Sequence, residues 1–162
     1  LPDDTPLPNL EIGLFSAVVL IEKKLSDERE SALAGWLVAN GCLSMSAWGE
    51  GCSKFHDAVD GKVLEKFDFK DIPEDGFVMT TWHDDEPMNE VLWYHLYCAF
   101  HPTVKLKRLT VDLSEADRES EIAERYRYVA TDEYLDSDEA NFDRKLTGWW
   151  FQIRAFFGRV LS

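Results

Sequence analysis

Glu22, Trp48, His83, Asp84 and Asp85 are the side chains of this sequence whose types and positions could do chemistry together. Each stands at or just past the end of an apolar or β-branched run, in AVVLIE, CLSMSAW and FVMTTWHDD. A parallel sheet collects the C-terminal ends of such runs at one rim, where Glu50, Cys52 and Ser114 would join them. The available chemistry is carboxylate and imidazole. Glu22 with Asp84 or Asp85 could bind a hard divalent cation, and His83 could serve as a general base or as one nitrogen ligand. The acidic turn has a second reading, because Asp84, Asp85 and Glu86 directly precede Pro87 and a helix start. Carboxylates there cap free N–H groups and meet the positive end of the helix dipole, at about 0.3–1 kcal/mol each. For His83, a ring between a buried Trp82 and an acidic turn, a hydrogen-bonded structural role competes with a catalytic one.

Other catalytic patterns are not found. There is no G-x-S-x-G elbow, no G-x-x-x-x-G-K-[ST] loop and no G-x-G-x-x-G turn, which excludes P-loop nucleotide hydrolysis. Gly49-Glu50-Gly51 carries an acidic centre and is a poor phosphate cradle. Cys52, at a possible helix N-terminus, would be the most activated thiol. His56 reads as a surface residue, and His95 and His101 are spaced so that they do not share a helix face. No metal set and no cofactor is expected.

The elements that must position the rim are legible. Phe15 to Ile21, FSAVVLI, reads as a strand buried on both faces, the usual condition in a parallel sheet. Ser26 offers an N-cap, Asp27 and Glu28 a favourable first turn, and Leu33, Trp36 and Leu37 an apolar stripe ending near Asn40-Gly41. Cys42 to Trp48 is a second strand. A helix over about 53–67 has Gly61 inside it and could be two short helices. Phe77 to Trp82 reads as a third, buried strand, and Pro87 opens a helix with Met88, Val91, Leu92, His95, Leu96 and Ala99 in helical period. Lys107 to Leu113 has the amphipathic pattern of an edge strand, and Ser114 with Asp117 forms a capping-box-like start for a helix carrying Ile122, Ala123 and Tyr126. The expected fold is α/β, a three-layer sandwich with a mainly parallel four-stranded sheet plus a C-terminal amphipathic helix. Strand orders 2-1-3-4 and 3-2-1-4 both satisfy right-handed crossovers. Residues 1–14 form an extended lead-in, 15–130 the α/β domain, and 131–162 an acidic segment followed by an aromatic helix.

In that last segment Trp149, Trp150, Ile153, Phe156 and Phe157 recur at three- and four-residue spacings, with Arg154 and Arg159 on the other side. Such a helix docks on its own sheet, on a second copy or on a protein partner, and the acidic tract before it disfavours membrane contact. The 162 residues carry a formal net charge of −14, which repels phosphate backbones and anionic lipid and excludes nucleic-acid binding by the body of the domain. The same charge suits a partner with a basic face. Cys42, Cys52 and Cys98 are odd in number and lack C-x-x-C spacing, as in a cytoplasmic protein with reduced thiols. No signal peptide and no membrane-spanning run is legible.

The segments AVVLIE (Ala17 to Glu22), WLVANGCLSMSAWGEGCS (Trp36 to Ser53), FDFKDIPEDGFVMTTWHDDEP (Phe67 to Pro87) and AFHPTV (Ala99 to Val104) together resemble a family of small bacterial α/β domains of unknown function. The resemblance covers about residues 15 to 127 and rests most on TTWHDDEP. It implies a bacterial, cytoplasmic setting and brings no activity, cofactor or catalytic residue. Two functions are therefore expected. The first is an acidic binding or regulatory module acting through protein-protein contact, of which an inhibitor or immunity-like protein is one form. The alternative is a small enzyme or ligand-binding domain using the rim of Glu22, Trp48, His83, Asp84 and Asp85 at the strand C-terminal ends, with or without a divalent metal.

Overall fold

The computed structural model describes residues 5–140. Four strands, β1 (Phe15–Ile21), β2 (Cys42–Gly49), β3 (Met79–His83) and β4 (Lys107–Asp112), alternate with the helices α1 (Asp27–Ala39), α2 (Cys52–Lys66), α3 (Met88–Tyr97) and α4 (Glu119–Val129), and a short α5 (Asp132–Leu135) follows. The strands are all parallel in the order β3-β2-β1-β4, the second of the two arrangements the sequence allows. Helices α1 and α2 pack together on one face, and α3 and α4 pack together on the other. The chain therefore changes faces between β1 and β4, and the crevice of an open α/β sheet lies outside their C-terminal ends.

β1 is buried along its whole length, as its unbroken apolar run requires. Ser26 caps α1, its hydroxyl accepting from the Arg29 amide at 3.1 Å. The lead-in lies against α1: the Trp36 indole donates to the Pro8 carbonyl at 2.6 Å, and Leu7, Leu10 and Ile12 pack on the core. α2 is one unbroken helix, because Gly61 sits where a side chain would meet open space and only its propensity cost is felt. β1 and β2 close up at their ends through Gly49, which holds φ +97°; the Glu50 amide donates to the Ile21 carbonyl at 2.9 Å.

Two expectations about element ends are corrected. The buried third strand is instead an edge, since its apolar run is covered by β2 on one side only, and Trp82 is half exposed rather than buried. Helix α4 starts at Glu119 behind an Arg118 N-cap rather than from a Ser114 box, because the Ser114 hydroxyl is committed to Asp112 at 2.8 Å and to the Ala116 carbonyl at 2.9 Å. The aromatic C-terminal segment lies outside the described residues. No described helix is long and apolar enough to cross a membrane.

Candidate functional site

The two faces of the sheet differ in chemistry. Ala17, Val19, Ile21, Met45, Ala47 and Val111 face α1 and α2 in one dry core. The strand register puts Ser16 beside Ser44, Val18 between Ser46 and Thr110, and Leu20 between Trp48 and Asp112, all facing α3 and α4. Thr81 and His83 continue the last two rows on β3. This face carries a band of hydroxyl, imidazole and carboxylate groups across its C-terminal half, and each finds a local partner, as buried polar groups must.

The rim residues fall into separate groups. Trp48 and His83 are register partners on neighbouring strands. The His83 ring is buried, meets the Glu86 carboxylate through Nδ1, lies 3.1 Å from the Thr81 hydroxyl through Nε2, and tilts against Tyr94 with ring centroids 5.3 Å apart. The Trp48 indole donates to the Glu86 carbonyl at 2.7 Å, so both ends of Glu86 are used to fasten the turn. That arrangement replaces the expected capping: α3 starts at Met88 behind Pro87 as N-cap residue, with no side-chain cap, and Asp84 and Asp85 stand exposed. Glu22 follows a strand two places from β3, about 9–10 Å across the sheet, and pairs with Arg118. Among the described residues, no group of three or more His, Cys, Asp or Glu side chains is placed to hold a metal ion. Trp48 and Trp82 lie on opposite faces of the sheet, because residues of adjacent parity on one strand point oppositely, and they form no common wall.

The crevice at β1 and β4 is organised by Arg118, which the sequence reading did not single out. Its guanidinium forks onto Asp112, with Nη2 2.6 Å from Oδ1 and Nε 3.2 Å from Oδ2, and its Nη1 reaches Glu22. Burial alone would raise the Asp112 carboxyl; the Arg118 fork and the Ser114 hydroxyl and amide outweigh it and hold the group below its ordinary value. A cavity of about 510 Å³ opens beside this pair, lined by Thr110, Asp112, Ser114, Arg118, Ile122 and Tyr126.

Beneath the cavity runs a polar chain. His95 is completely buried; its Nε2 lies 3.1 Å from the Ser16 hydroxyl and its Nδ1 2.6 Å from the Tyr126 hydroxyl, which lies 3.2 Å from the Thr110 hydroxyl. Burial pushes the imidazole down to about 4 and the Tyr126 phenol up to about 12, so both stay neutral near pH 7. Thiol chemistry finds no support here, because burial raises the Cys52 thiol instead of activating it.

The β3 edge carries exposed apolar side chains. Phe77, Met79 and Trp82 are 51%, 46% and 49% exposed, and Leu64 and Phe69 stand exposed in the α2 end that leads to them. Trp82 is held from below by His56, ring centroids 4.7 Å apart and nearly edge to face, and Thr80 donates to Asp60 of α2 at 2.7 Å. His56 is thus largely covered rather than on the surface, its ring placed between Trp82, Asp57 and Asp60.

Compared with known proteins, the chain matches one family model over residues 1–128, that of a domain of unknown function. It belongs to the DUF7684 family. No curated protein and no solved structure matches it. The DUF7684 match takes in the lead-in, all four strands and almost all of α4, so the crevice, the polar chain and the β3 edge belong to the family domain. Helix α5 lies past the match, although Tyr134 is buried against the α3 and α4 side.

Some of this was open to sequence reasoning and some was not. His95 occupies a core position of the α3 stripe, which marked it as buried. Nothing local marked Arg118, whose partners lie six and ninety-six residues away.

Proposed function

We propose that this DUF7684 domain is an acidic binding or regulatory module that acts through protein-protein contact at the β3 edge. The observation that carries this reading is the half-exposed apolar side chains Phe77, Met79 and Trp82 along a strand that is open to one side among the described residues, with Met79 on the α3 side of the sheet and Trp82 on the α2 side. Monomeric proteins guard such edges with charge, proline or a covering element, and an unguarded one is a ready surface for another chain. Trp82 comes pre-set by His56, which lowers the cost of ordering it on binding. An inhibitor or immunity-like role and a bacterial, cytoplasmic setting fit the net charge of −14 and the free thiols of Cys42, Cys52 and Cys98. The test is affinity capture with three baits: the natural chain, a Phe77→Lys, Met79→Lys double variant, and a Val104→Lys control. A partner bound by the first and third and lost by the second is expected. Capture indifferent to the double variant overturns the assignment.

The cavity at the β1–β4 crevice supports a second reading, a site for a small polar molecule at the sheet's switch point. Its polar lining is largely paired within the protein, so a ligand would compete with Arg118, Ser114 and Tyr126 for their present partners. Thermal-shift screening of nucleotides, polar metabolites and divalent metals, repeated with Tyr126→Phe and His83→Ala, separates this site from the His83 rim. A shift lost only with Tyr126→Phe selects the crevice; a shift lost only with His83→Ala selects the rim.

A further inference from the structure

The hydroxyls of Thr110, Ser114 and Tyr126 line the cavity at β1 and β4, and the protons of all three are committed inside the protein. The Ser114 hydroxyl gives its proton to the Asp112 carboxylate at 2.8 Å or to the Ala116 carbonyl at 2.9 Å, and neither group has one to return. The other two take their direction from His95. That ring is neutral near pH 7 and carries a single proton. Burial is the main cause of its low proton affinity, and a hydrogen bond with the Ser16 main chain works the other way, as a ring N–H given to a carbonyl does. The Ser16 hydroxyl lies 3.4 Å from the Lys107 carbonyl, which can only accept, and so meets Nε2 as an acceptor. Both contacts put the His95 proton on Nε2. Nδ1 is then bare and accepts the Tyr126 proton across 2.6 Å, and the Tyr126 oxygen accepts in turn from Thr110 at 3.2 Å.

That order sets what the cavity can offer. The oxygens of Thr110, Ser114 and Tyr126 have only lone pairs left for a bound molecule. Arg118 is the one cation among the lining residues, and three of its N–H groups are on Asp112 and Glu22. The same lining holds four carboxylates, Asp112, Glu115, Asp117 and Glu119, of which Asp112 pairs with Arg118 and Glu115 with Lys23. The start of α4 would by itself favour an anion, but Glu119 and Glu121 in its first turn already answer that charge. Ligands therefore do not compete equally for this site. An anion or a hydrogen-bond acceptor must break one of the existing bonds, whereas a cation with N–H groups uses lone pairs that are left over.

We infer that the crevice takes a small aliphatic amine in its ammonium form, its N–H groups donating to the hydroxyl oxygens of the lining, its charge balanced by the lining carboxylates and its hydrocarbon stem set against Ile122 and Ala123. The cavity, at about 510 Å³, is of small-molecule size. This rests on the reading of the crevice as a ligand site and adds the class of ligand.

The test is an NMR titration of the full chain with butylamine, with butyltrimethylammonium, which keeps the charge but has no N–H, and with butyrate. Before any ligand is added, nitrogen shifts of the His95 ring are expected to show the proton on Nε2. A proton on Nδ1 would reverse the chain, free the Tyr126 proton for a ligand and overturn the inference. Butylamine is expected to perturb the His95 signals and to bind about tenfold more tightly than the quaternary ion. Tyr126→Phe, and separately Asp117→Asn with Glu119→Gln at two exposed positions, are each expected to weaken it by about tenfold. Equal binding of the two cations, or amine binding undiminished in Tyr126→Phe, would be general attraction to an acidic surface and would overturn the inference. Butyrate bound at the crevice in place of the amine would overturn the ligand class and leave the crevice reading standing. If none of the three binds, the inference fails; the crevice reading then fails with it only where the thermal-shift screen also finds no ligand that Tyr126→Phe removes.

Discussion

The imidazole Nδ1 of His95 and the hydroxyl of Tyr126 lie 2.6 Å apart, joining the last turn of α3 to α4 across the polar face of the sheet. Because His95 is buried, its proton affinity falls from the ordinary 6.5 to about 4. Unfolded, the ring takes its proton near 6.5; folded, it takes it near 4. Between these values the unfolded state binds more protons, so the His95 contribution is fully present above pH 6.5 and is lost as pH falls through 4. Urea unfolding at pH 7 and at pH 4 should differ by about 3 kcal/mol more in the natural chain than in His95→Gln. Equal pH dependence in the two proteins would rule the mechanism out.

Replacing Tyr126 by Phe removes the group shared by His95 and Thr110 while keeping the ring in place. A buried nitrogen then loses its partner, at a cost of about 1–2 kcal/mol. Chemical denaturation of Tyr126→Phe at neutral pH measures it, and an unchanged midpoint would mean that water or Thr110 takes over the bond.

Arg118 holds the β1 and β4 ends together through Glu22 and Asp112, in a pair more covered than a surface bridge and less covered than a core one. Arg118→Ala should cost about 2 kcal/mol, between those two cases. Arg118→Lys should recover less than half, since a lysine cannot fork onto both oxygens of Asp112. Full recovery by lysine would show that only charge matters here.

Two glycines make opposite predictions. A Cβ at Gly49 would sit 2.2 Å from the Ile21 carbonyl oxygen, at φ +97°, so Gly49→Ala should destabilise by about 3 kcal/mol or more. At Gly61, inside α2, a Cβ meets nothing, and Gly61→Ala should stabilise by about 0.5–1 kcal/mol. Thermal melts of the two single variants decide both, and a destabilised Gly61→Ala would point to a contact on that helix face.

Much of this architecture was legible from residue types alone. The run FSAVVLI, the Ser26 cap and the Asn40-Gly41 stop each carry their information within a few residues, and all three stand where the pattern puts them. Pro87 opened α3 as expected, and the core position of His95 in that helix was visible in its period. These features are local: backbone preference, capping and periodicity depend on near neighbours in the chain. The strand order was not local. FVMTTWH reads the same whether a strand lies on one side of it or on both, and only the packing of α1 and α2 against one face, with β4 returning beside β1, made β3 an edge. The same return brought Arg118 to Glu22 and His95 to Tyr126. The sequence by itself determined the elements and their α/β class; tertiary structure decided which strand is exposed and which polar groups meet, because those depend on contacts between residues far apart in the chain.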